Sequence, residues 1–71
     1  MPRTLEDEYS LRLAELLIVM GIERETRLEV LTAIETSEEL LVFLDKLAER
    51  NYEMTSEEVY QALGETIEEV Q

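Results

Sequence analysis

The tetrapeptide Thr-Ser-Glu-Glu occurs twice, at 36–39 and at 55–58, each time ahead of apolar residues spaced three and four apart. A threonine followed three residues later by glutamate is the signature of a capping box. The hydroxyl accepts the N–H of the third helical residue, and the glutamate reaches back to the N–H of the cap. Two such starts in 71 residues, with Pro2 as the lone proline and glycine only at Gly21 and Gly64, favour long helices over strands and turns. In the helix opened by Thr36, the stripe is Leu40, Phe43, Leu44 and Leu47, with Leu41 and Ala48 at its margin and Asn51 as a left-handed cap. In the helix opened by Thr55, Met54 and Val59 flank the cap at the spacing of a hydrophobic staple. Val59, Leu63, Ile67 and Val70 then keep their phase through Gly64, so one helix with a weak point is expected rather than a stop. Shared capping chemistry explains the repeat, and a solenoid needs more units than this chain holds.

Two helices precede these. Thr4 and Asp7 resemble a capping box with aspartate in the glutamate position, and Glu6, Asp7 and Glu8 sit at the positive end of the helix dipole. Leu5, Tyr9, Leu13, Leu16 and Met20 form one face, and Gly21 fits the left-handed residue that closes a helix. A second helix is expected from about Glu23 to Ile34, with Val30, Leu31 and Ile34 as its stripe and Leu28 at the edge. The expected fold is all-α, a compact bundle of four short helices forming a single domain over 1–71.

A chain this short has a thin core. It has no cysteine for a disulfide and no histidine, which removes the commonest zinc ligand and the usual acid–base residue. Stability must come from helix packing or from association. A hydrophobic content of 45% is too high for a disordered chain. The segment Met1 to Glu8 lacks the basic-then-apolar pattern of a signal peptide, and the longest apolar run, Leu16 to Met20, is too short to span a bilayer. The cytoplasm is the expected compartment.

Eighteen acidic residues against six basic ones give a net charge of −12, a field that repels nucleic acid and anionic membrane. All six basic residues lie within 1–50, beside 12 acids, whereas 51–71 carry six acids and no base. The last third therefore holds half the net charge. Its glutamates, Glu57, Glu58, Glu65, Glu68 and Glu69, form either a solvated face that aids solubility or an acidic docking surface for a basic partner.

The first helix carries more apolar residues than one stripe needs. Leu11 and Ile18 are a heptad apart with Ala14 between them, pointing away from the Leu13/Leu16/Met20 face. In the third helix Val42 points away from the main stripe. A central helix that touches neighbours on two sides accounts for such a pattern. So does a partner-binding stripe of Leu11, Ala14 and Ile18, which a symmetric homodimer would bury in the commonest way.

No catalytic, cofactor-binding or metal-ligating set can be assembled. Ser37 and Ser56 lie in helix starts, and no histidine exists to activate a hydroxyl. Lys46, the single lysine, stands beside Asp45 and Glu49 and is expected in a solvated ion pair. The glutamates fall mostly on polar helix faces, where both members of a pair ionise. A di-iron bundle would need histidine, and the alternating ligands of a calcium loop are missing. There is no glycine-rich phosphate loop and no basic patch with interleaved aromatics.

Leu16-Leu17-Ile18-Val19-Met20-Gly21-Ile22 resembles the end of the first helix of a ubiquitin-associated domain, a three-helix bundle with a Met-Gly-Phe-type loop there. The resemblance implies that Met20, Gly21 and Ile22 contact a ubiquitin-like surface beside apolar residues of the third helix. The fourth helix departs from that family's minimal module. The expectation that follows from the residues themselves is a non-catalytic protein–protein interaction or regulatory module without a cofactor. Its partner is another protein or a second copy, not nucleic acid or membrane. The alternative from another class is an acidic inhibitor that imitates DNA and occludes a basic groove.

Overall fold

Both capping boxes form. The computed structural model describes residues 5–71, with side chains from Glu8 onward. The Thr4–Asp7 cap and the Leu5 side chain lie outside the described residues. Among these residues the chain folds into four α-helices and no strand: α1 (Leu5–Val19), α2 (Arg24–Ala33), α3 (Ser37–Glu49) and α4 (Ser56–Val70). At the start of α3 the Glu39 N–H donates to Thr36 Oγ1 at 3.1 Å, and the Thr36 N–H donates to Glu39 Oε1 at 3.1 Å. At the start of α4 the Glu58 N–H donates to Thr55 Oγ1 at 3.3 Å and the Thr55 N–H to Glu58 Oε1 at 3.0 Å. By contrast α2 begins at Glu23 with no side-chain cap. The adjoining turn is held by Arg27, whose Nη1 donates to the Ile22 carbonyl at 2.7 Å.

Two helices end in the same way. Gly21, at φ +79°, donates its N–H to the Ile18 carbonyl, while the Ile22 N–H reaches the Leu17 carbonyl, each at 3.0 Å. This is the paired closure of a Schellman motif, and its usual apolar clasp is present because Leu17 and Ile22 both lie in the core. Asn51 repeats the motif at the end of α3, with Asn51 N–H to Ala48 and Tyr52 N–H to Leu47. Tyr52 is also left-handed, at φ 58°, a conformation an aromatic residue rarely adopts. The helix through Gly64 runs unbroken to Val70.

The helices form a ring. α1 packs on α2 and α3, α4 packs on the same two, and α3 against α4 is the most extensive pair. Among the described residues, α1 and α4 therefore stand at opposite corners. Leu13 and Leu17 of α1, Val30 of α2, Phe43 and Leu47 of α3, and Val59 of α4 are fully buried at the centre. Met54 and Val59 are both in that core, as the staple requires. The radius of gyration, 11.4 Å, matches the roughly 11 Å expected of a globular chain of this length.

The α1 stripe needs a correction. Leu17 is fully buried and Leu16 only half-buried, so the core direction runs through Leu13 and Leu17 rather than Leu13 and Leu16. With α2 on one flank of α1 and α3 on the other, the inward direction lies between the two neighbours. Lys46 needs another. It pairs across the bundle with Glu69 at 3.2 Å and Glu65 at 3.7 Å, not with Asp45 and Glu49 alongside it. Its hydrogen bond to Glu69 raises its pKa above the ordinary lysine value, against some desolvation and with help from the charges of Glu69, Glu65 and Glu49.

Candidate interaction surface

The second stripe of α1 faces outward. Leu11 is 47% exposed, Ile18 58% and the neighbouring Val19 83%, while Ala14 between them is half-buried. On a helix, residues three, four and seven apart share a side. Glu8, Leu11, Glu15 and Ile18 therefore line one ridge, and both glutamates are exposed. The ridge is turned away from Leu13 and Leu17, and Ala14 marks its inner border. Scattered exposed leucines need no explanation. Three large apolar side chains within two turns of one helix form a patch that does. Val42, which the pattern also placed off the main face, is half-buried.

The acidic surface is differently built. Of the five α4 glutamates, Glu65 and Glu69 face Lys46, and Glu58 accepts from Arg50 Nη1 at 3.3 Å. The Thr55 backbone N–H and then its hydroxyl hold the Glu58 carboxyl below its ordinary pKa against desolvation, with the smallest contribution from the Arg50 charge. Glu57 and Glu68 are exposed on α4. The chain thus sets its own cations against three of the five carboxylates that a phosphate mimic would need to present freely.

A third feature was not read from the sequence. Between α1 and α3 a groove of about 250 Å³ is lined by Tyr9, Leu16, Leu41, Leu44 and Tyr52, with Arg12 and Asp45 at its polar edge. Tyr52, left-handed at φ 58°, forms part of the wall of this groove. Periodicity places Tyr9 on the core face of α1, but Tyr52 follows the end of α3, and left-handed geometry at an aromatic residue leaves no trace in the pattern. The Met20-Gly21-Ile22 turn fits the ubiquitin-associated expectation less well. Ile22 is only 3% exposed and is occupied as the core half of the helix closure, so it is not free to contact a partner.

No helix among the described residues is long and apolar enough to cross a membrane. Comparison with protein-family models, with curated proteins and with solved structures gave no match to this chain.

Proposed function

We propose that this chain is a non-catalytic protein-binding module of the cytoplasm that docks another protein chain through the outward ridge of α1, centred on Leu11, Ala14 and Ile18. The observation that carries it is the exposure of Leu11 and Ile18, 47% and 58%, a heptad apart on a helix that turns the fully buried Leu13 and Leu17 to the core. Removing apolar surface from water is worth about 25 cal/mol per Å², so completing the burial of each of these side chains yields roughly 1 kcal/mol. A domain this small gains materially from that. The DNA-mimic alternative has less support, since Glu58, Glu65 and Glu69 already face cations of their own chain.

The test is a photocrosslinking side chain at position 18, in protein made at native level in its own cells, with a second at position 68 on α4 as control. A discrete adduct from position 18 that vanishes with Leu11→Glu is expected. No adduct, or equal adducts from both positions, overturns the proposal. An adduct of twice 8.3 kDa identifies the partner as a second copy. Light scattering on the wild type and on Ile18→Glu across a concentration series then measures that association directly.

A further inference from the structure

We infer that the occupant of the α1 ridge is a cationic amphipathic helix of another protein. The inference rests on the docking proposal and specifies the chemistry of the partner. Leu11 and Ile18 are seven residues apart, about 10.5 Å along the axis. That is the repeat at which a second helix presents its own knobs when it lies alongside. The smaller Ala14 between them lets a partner backbone approach.

Charge then selects the sign. Glu8 and Glu15 share the ridge, each one turn from an apolar member. The last turn of α1 has no basic residue of its own, so the exposed Ile18 and Val19 stand at the negative end of the helix dipole with no cation on the ridge beside them. Arg12, the one cation of α1, lines the groove toward α3. A second copy is the wrong occupant. Two-fold pairing about Ala14 would bring Glu15 against its own counterpart, between molecules that each carry −12. A helix with apolar residues at i, i+3 or i+4, and i+7, flanked by lysine and arginine, meets both the ridge and its carboxylates.

Three synthetic 18-residue peptides test this by calorimetry and by amide shifts. One has that apolar face with Lys/Arg flanks, one has the same face with glutamate flanks, and one has the cationic composition scrambled to abolish the face. Only the first is expected to bind, with shifts confined to 8–22. Its affinity should fall about tenfold with Glu15→Lys and also with rising salt, and stay unchanged with Glu68→Lys. Equal binding of the glutamate-flanked peptide overturns the inference, as does equal binding of the scrambled one or indifference to Glu15→Lys. Circular dichroism of each variant confirms that it is folded. A crosslink at position 18 together with failure of the cationic peptide leaves docking intact and removes only the partner chemistry. A crosslink to a second copy overturns the cationic partner. Absence of any crosslink removes both.

Discussion

Glu39 and Glu58 occupy the same place in the same tetrapeptide and do different amounts of structural work. Glu39 is 6% exposed, and its Oε1 accepts three bonds: the N–H of Glu35, the N–H of Thr36 and the Thr36 hydroxyl. Truncating it strands those donors in a part-buried site. Glu39→Ala should therefore lower stability by about 2 kcal/mol in chemical denaturation, and Glu58→Ala, at a solvated cap, by clearly less. Glu58 also carries a pH signature. Its folded pKa lies below the ordinary 4.5, so the stability it contributes is complete above that value and is lost as pH falls through the folded one. Thermal melts from pH 6 to pH 3 should lose stability in that window, and Glu58→Gln should lose less of it.

At the level of the helix, the two glycines make opposite predictions from the same surroundings. An added Cβ meets nothing within 4 Å at either position. Gly64 is helical, so Gly64→Ala should raise stability by roughly 0.5–1 kcal/mol. Gly21 is left-handed at +79°, so Gly21→Ala should cost about 1 kcal/mol. Melting temperatures of the two variants moving the same way would contradict this. Caps, helix order and the continuity of α4 were legible because each is a local signal of a few residues. The choice between Leu16 and Leu17 was not. Leu16 to Met20 is apolar throughout, so periodicity cannot orient that end of α1, and the answer depends on where α2 and α3 lie. Thr26 and Thr66 are buried without any apolar signal. The first is satisfied by the Tyr60 hydroxyl at 3.3 Å and the second donates to the Ala62 carbonyl at 2.7 Å. Lys46 found its partners on α4 because adjacency in sequence says little about adjacency across a bundle. The outward direction of Leu11 and Ile18 was legible from the heptad that joins Ile18 to Leu11, a residue outside the apolar run Leu16 to Met20, and both are exposed.

For the molecule as a whole, stability of roughly 4–10 kcal/mol is expected of a chain of this size. Leu17→Ala, which empties a fully buried site in the core, should remove about 2–5 kcal/mol of it. The adjacent Ile18→Glu should leave the urea midpoint nearly unchanged. A large loss in the second variant would place Ile18 in the core and overturn the division of α1 into two sides. The unequal ring of contacts has a further consequence. The α3–α4 pair holds both capping boxes, the cross-helix ion pairs and the most extensive interface, so it is the part that opens last. α1, like α2, is held by two lesser interfaces, so its amides should exchange with solvent through smaller excursions than global unfolding. A ligand on the ridge of α1 therefore settles outside the α3–α4 pair, and each increment of binding should appear first as slower exchange along α1. The hydrogen-exchange clock of one helix becomes a gauge of occupancy for the entire protein.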